Sequence, residues 1–215
     1  MPNLTPESVY RRNLPHVQPA GATFFITFRL ADSLPAEVVA ALLEEAKQVQ
    51  AELERLPDSP ERSQRLQLEQ RRYFGKWDAL LDLGAGPDWL RRPGIAVLVA
   101  ENMRFFAAKR YRLLAYCIMP NHVHVVLTPL QKEDGSYYPL ARIMHTMKGY
   151  TAGRANKLLG RDGAFWLHES YDHYARDTAE LQRILHYVVN NPVKAGLVAD
   201  WKDWPWTYLD SDLHP

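Results

Sequence analysis

A chain of 215 residues with 47% hydrophobic and 24% charged side chains has an ordinary globular composition and is long enough for one core. It has no run of about 18 apolar residues, which excludes a conventional membrane-spanning helix, and its polar start MPNLTPESVYRRN is not expected to be a signal peptide. The single cysteine, Cys117, rules out an internal disulfide and fits a reducing cytoplasm.

The net charge of +1 conceals a strong segregation. Residues 8–31 carry Arg11, Arg12 and Arg29 and no acid. Residues 102–132 and 135–161 are likewise acid-free, and the last stretch holds Arg142, Lys148, Arg154 and Lys157. Most acids fall between residues 32 and 88 or after 162. One such run is as easily a solvated helix face. Three together predict a basic surface facing a polyanion, diluted by an acidic appendage.

In chain order, residues 23–30 (TFFITFRL) alternate as a first strand. Pro35 then opens a helix carrying Val38, Val39, Leu42 and Leu43 towards Leu56. The break PDSP (57–60) separates it from a second helix over 62–81. The pair reads as a helical hairpin inserted at about 32–83, loosely packed because its outer faces are so charged. Ile95, Leu98, Val99, Phe105 and Phe106 mark a helix over 95–110.

Residues 111–119 and 122–128 then predict two strands joined by a turn at Pro120-Asn121. Alternation puts His122 and His124 on one face of the second strand, where two imidazoles converge on a small volume. A basic helix over 140–159 follows, then a loop over 161–174 with His168 and His173, read as hydrogen-bonded loop histidines. Asp177 and Glu180 resemble a capping box that starts a helix, which Pro192 is expected to end near residue 190. Leu181, Ile184, Leu185 and Val188 form its core stripe, with Tyr187 and Asn191 stacked on one flank. Strands and helices intermixed around an antiparallel hairpin indicate an α+β fold.

The segment MPNHVHVVLTP (119–129) resembles the HUH motif, two histidines about a hydrophobic residue, of single-tyrosine transposases. HESYDHYARD, HYVVNNPVKAGLV and WPWTY are similar to the C-terminal half of REP-associated tyrosine transposases, and RRNLPH with TFFITFRL to their start. The 32–83 hairpin is not covered. The resemblance implies one HUH transposase-like domain over 1–215, ferredoxin-like, with the HUH pair on a central strand and a C-terminal tail over 192–215. It implies a nuclease and strand transferase acting on single-stranded DNA hairpins of REP type, with Tyr187 as nucleophile, His122 and His124 as metal ligands, and Asn191 at the third-ligand position. Mg2+ or Mn2+ is the implied cofactor, although imidazole ligands alone would favour zinc or another late metal. No nucleotide cofactor or membrane partner is implied, the oligomer would be a monomer or homodimer, and the location cytoplasmic at the nucleoid. An amide oxygen is a weaker donor than a carboxylate, so Asn191 is the departure to watch.

Tyr150 in KGYTAGRANK is the rival nucleophile, read as a packing or DNA-facing residue because it lacks a ligand partner at i+4. Arg11, Arg12, Arg142, Lys148, Arg154 and Lys157 would contact phosphates. Two other functions stay open: a DNA-hairpin binding protein with little cleavage, and a zinc hydrolase in which the tyrosine is only structural. The lack of HExxH or a cysteine pair counts against the hydrolase.

Overall fold

The computed structural model describes residues 6–11 and 15–213, with residues 6–11 and 15–18 described by their backbone alone. Arg12 lies outside the described residues, and Arg11 is placed only as a backbone position in strand β1 (Pro6–Arg11). That strand pairs antiparallel with β2 (Pro15–Pro19) in a separate ribbon.

The main sheet has five strands in the order β6-β3-β5-β4-β7, and its pairings are all antiparallel. They are β3 (Phe24–Arg29), β4 (Tyr111–Ile118), β5 (His122–Pro129), β6 (Tyr171–Tyr174) and β7 (Thr207–Leu209). Helix α3 (Pro93–Phe106) precedes β4, and α4 (Leu140–Leu159) links β5 to β6. Leaving out the edge strand β7, strand–helix–strand–strand–helix–strand in spatial order fourth, first, third, second is a ferredoxin-like α+β fold. β5, which carries His122 and His124, is the middle of the five.

The expected 161–174 loop contains an edge strand instead. β6 pairs with β3, with Ile26 opposite Asp172 and Phe25 opposite His173. It was illegible because its four residues are all half-buried and show no apolar alternation.

The two faces of the sheet are covered differently. Val123, Val125 and Leu127 pack with Val99, Met103, Ile143 and Met147 of α3 and α4. On the reverse face, Phe25, Cys117 and Val126 pack with Leu185 and Val188 of α5 (Thr178–Lys194). A register shift in β4 between Leu113 and Ala115 sends Leu114 and Ala115 to this second face.

The hairpin consists of α1 (Ala36–Glu54) and α2 (Pro60–Asp82), with Ser59 capping α2 by accepting from Arg62 N at 3.2 Å. Its ends meet where Gly86 lies so close to Asp32 and Ser33 that a Cβ would sit 2.4 Å from the Asp32 carbonyl oxygen. The expected loose packing fails along the inner face of α2, where Asp78 and Leu81 are buried. Helical spacing aligns Arg71, Phe74, Asp78 and Leu81 along one face towards α5 and the sheet, while the charged remainder faces away.

α5 starts as expected, Asp177 accepting from Glu180 N at 2.7 Å, but runs through Pro192 to Lys194. Proline costs one helical hydrogen bond near the end, and burial of Val188, Val189 and Pro192 holds the last turn in place. The tail returns to the sheet as β7, and Trp204 Nε1 donates to Ile118 O at 2.9 Å.

Candidate metal centre

Each histidine of β5 is oriented by a neighbour. Asn121 Nδ2 donates to Leu81 O at 2.8 Å, which turns Asn121 Oδ1 towards His122 Nδ1 at 2.7 Å. Nδ1 must therefore carry the proton, leaving a lone pair on His122 Nε2. His124 Nδ1 meets Thr27 Oγ1 of the adjacent strand at 2.7 Å, in register with the Thr27–His124 pairing. The two Nε2 atoms face each other at 3.0 Å, fully buried. Burial, and then His124, push the His122 pKa well below its ordinary value. It is thus held neutral, as a ligand must be.

The third group comes from the hairpin, and sequence reasoning missed it. Asp78 Oδ1 lies 3.3 Å from His124 Nε2 and 3.9 Å from His122 Nε2. Donors about 2.1 Å from one ion sit roughly 3.0–3.4 Å apart in octahedral or tetrahedral geometry. The spacings of this triad are close to that, and Asp78, His122 and His124 can hold a metal ion. Burial raises the Asp78 carboxyl, but His124 and Lys194 outweigh it and keep it ionised. Lys194 Nζ, one helical turn beyond Asn191, contacts Asp78 Oδ2 at 2.5 Å and Asp82 Oδ2 at 3.0 Å. A buried carboxylate without a partner is costly, and this ammonium supplies one.

Tyr187 reaches the same volume from α5. Its ring packs edge-on against His124 with centroids 5.6 Å apart, and against Phe25 and Phe74 at 5.9 and 6.0 Å. The hydroxyl is buried without a hydrogen-bond partner, as are both amide atoms of Asn191. Burial raises the Tyr187 pKa, and the negative charges of Asp78 and Asp82 raise it further. Two unpartnered polar side chains beside a carboxylate and two imidazole nitrogens form a donor set suited to a divalent cation, which would satisfy several of them at once.

Other candidates are placed elsewhere. Tyr150 projects from α4, whose buried residues pack on the opposite sheet face, and its ring lies half-exposed under the Arg154 guanidinium at 5.1 Å. Arg142, Arg154 and Lys157 are exposed on that helix, away from the histidine face. Lys148 Nζ is engaged by the carbonyls of Leu167 and His168 at 2.6 and 2.8 Å, which ties α4 to the loop before β6. His173 Nε2 lies 3.1 Å from Glu180 Oε1, a satisfied position as expected.

Residues 100–191 match the family model described as "Transposase IS200 like". That segment, less than half of the chain, contains His122, His124, Tyr187 and Asn191 but not the hairpin with Asp78. The chain's similarity to REP-associated tyrosine transposases, expected from the motifs, is borne out. A Haemophilus influenzae protein so assigned is 29% identical over 111 residues, covering 48% of this chain. The aligned part is 61% of that relative, less than two thirds of its length. The REP-associated tyrosine transposase of Escherichia coli K12 is 23% identical over 148 residues, 67% of this chain and 84% of that one. A solved structure of a REP-associated tyrosine transposase bound to a REP hairpin aligns at 16% identity and TM-score 0.49, over 93% of this chain and 81% of that one. No described helix is long and apolar enough to cross a membrane.

Proposed function

We propose that the protein nicks and rejoins single-stranded DNA beside REP-like hairpins, with Tyr187 as the nucleophile. The observation that carries this reading is the convergence of two imidazole Nε2 atoms at 3.0 Å with the Tyr187 ring packed on His124. His122, His124 and Asp78 would hold the metal, with Asn191 facing it from α5; Mn2+ or Mg2+ fits a mixed set of nitrogen and oxygen donors and a phosphate substrate. A divalent ion there supplies positive charge to the phosphate oxygens as charge builds in the transition state.

The chain's own residues do the rest. Tyr187 Oη attacks phosphorus, the bond to the 3′ oxygen breaks, and a 5′-phosphotyrosine forms. The phenol gives up its proton and the departing 3′ oxygen takes one up, so no external energy source enters. A later attack by a 3′-hydroxyl reverses the step and rejoins the strand. Exposed Arg142, Arg154 and Lys157 would hold the duplex phosphates of the hairpin without reading sequence. The hydroxyl and both imidazoles are enclosed beneath α2, so DNA entry requires α2 to lift from α5. Lys194, released from Asp78, would then be free to meet phosphate.

The enclosure favours a second reading, a protein that binds hairpin DNA without cutting it. Covalent adduct formation separates the two, assayed with Mn2+ on hairpin oligonucleotides drawn from repeats around the protein's own gene. The transesterase reading expects an adduct from the native protein, none from Tyr187→Phe, and none with EDTA. Binding without an adduct establishes the second reading, and an adduct lost in Tyr150→Phe instead transfers the role to α4.

A further inference from the structure

A cavity of about 370 Å3 opens between the hairpin and the sheet, and Asp78 forms part of both its wall and the metal triad. Its other walls include Tyr73, Phe74 and Trp77 of α2, Tyr171 of β6, and Arg29 at the end of β3. These walls are flat and aromatic. Phe74 and Tyr171 stack with centroids 4.5 Å apart and planes 28° from parallel, and Tyr73 meets Trp77 at 6.0 Å. Arg29 is 6% exposed, its guanidinium carbon 4.7 Å above the Trp77 ring. Among the described residues its side chain makes one hydrogen bond, Nη1 to Ser33 Oγ at 2.8 Å. A guanidinium has five donors, so those not bonded to Ser33 are available to an acceptor-rich ligand in the cavity that Arg29 lines.

We propose that this cavity is a subsite for one unpaired nucleobase of the DNA strand, stacked on the aromatic wall and read at its edge by Arg29. Aromatic faces accept any base, at about 1–3 kcal/mol each. A guanidinium fork matches paired acceptors on one edge, and guanine offers such a pair at N7 and O6. Because Asp78 is shared with the triad, the base taken up belongs to a nucleotide next to the reacting phosphate. The hairpin, which lies outside the matched family segment, thereby becomes a specificity element. The subsite rests on single-stranded DNA being the substrate, as proposed above, but not on cleavage.

The test is equilibrium binding of the whole protein, without metal, to a thymine tract carrying guanine, adenine, cytosine or an abasic nucleotide at its centre. Guanine should bind at least about fivefold more tightly than the abasic tract, the factor for about 1 kcal/mol of stacking. Arg29→Gln should level guanine with adenine and cytosine. Leu43→Trp, which fills the cavity from α1 while leaving Arg29 and Trp77 in place, should abolish base dependence, with thermal melting verifying that both variants fold. Base-independent binding by the native protein, or base dependence retained in both variants, overturns the subsite. An adduct on hairpin DNA without base dependence removes the subsite alone. Base dependence without an adduct removes the transesterase reading and leaves the subsite standing.

Discussion

Asp78 Oδ1 stands 3.3 Å from His124 Nε2, although 45 positions separate the two residues and they come from a charged helical insert and the central strand. The insert is therefore built into the candidate centre rather than hung beside it. Lys194 secures the arrangement from α5.

Removing that carboxylate should weaken the metal site. Asp78→Asn is expected to lower Mn2+ affinity of the DNA-free protein by at least about 10-fold, the lower end of the range for groups that only support metal ligands. Titration calorimetry or the Mn2+ resonance signal measures it. Unchanged affinity would leave the two histidines and Asn191 as the ligand set, with Asp78 only occupying their space.

Asn191 can be tested through stability. Asn191→Asp would add a second buried carboxylate beside Asp78, a repulsive and poorly solvated pair in the absence of a cation. The variant should melt below the native protein in EDTA, by several degrees for a loss of about 1–2 kcal/mol. Mn2+ should then raise its melting temperature more than it raises that of the native protein. Equal shifts would mean that Asn191 does not face the ion.

Acid should loosen the attachment of the hairpin to α5. Glu180, 5% exposed, accepts from Arg176 Nη2 at 2.7 Å and from Arg71 Nη2 of α2 at 3.0 Å. The hydrogen bonds from Arg176 hold its carboxyl far below the usual range, against the effect of burial. With the folded pKa depressed, this contribution is fully present above the unfolded value of about 4.3 and is lost as pH falls from there towards the folded value. Glu180→Gln should cost about 1.5–3 kcal/mol at pH 7. Below pH 4 the difference from the native protein should shrink. Urea midpoints across that range are the measurement, and a pH-independent difference would place the effect in packing rather than charge.

The closed state predicts a dependence on hairpin mobility. A reducible crosslink between α2 and the segment leading into α5, for instance a short disulfide-containing bismaleimide joining Gln67→Cys and Arg176→Cys, should suppress adduct formation when intact and restore it on reduction. Gln67 and Arg176 already touch through their side chains. Equal adduct yields in the two states would show that DNA reaches Tyr187 without α2 lifting.

The histidine pair was readable because a strand repeats every two residues, so His122 and His124 share a face wherever the strand packs. Tyr187 and Asn191 were readable for the matching reason, since a helix brings i and i+4 together. The sheet order was not legible in the residues, because it depends on β6, whose half-buried residues show no apolar alternation, and the ferredoxin-like arrangement was implied only by the family resemblance. Asp78 has no such local signature: among the many charges of α2 it differs only in facing inward, and that depends on how the helix docks. The same holds for Lys194, recognisable as a partner only once α5 is seen to continue past Pro192. Periodic short-range geometry is written into neighbouring residues, whereas the burial of the centre and its third acidic group arise from the meeting of two helices distant in the chain, which no local pattern encodes.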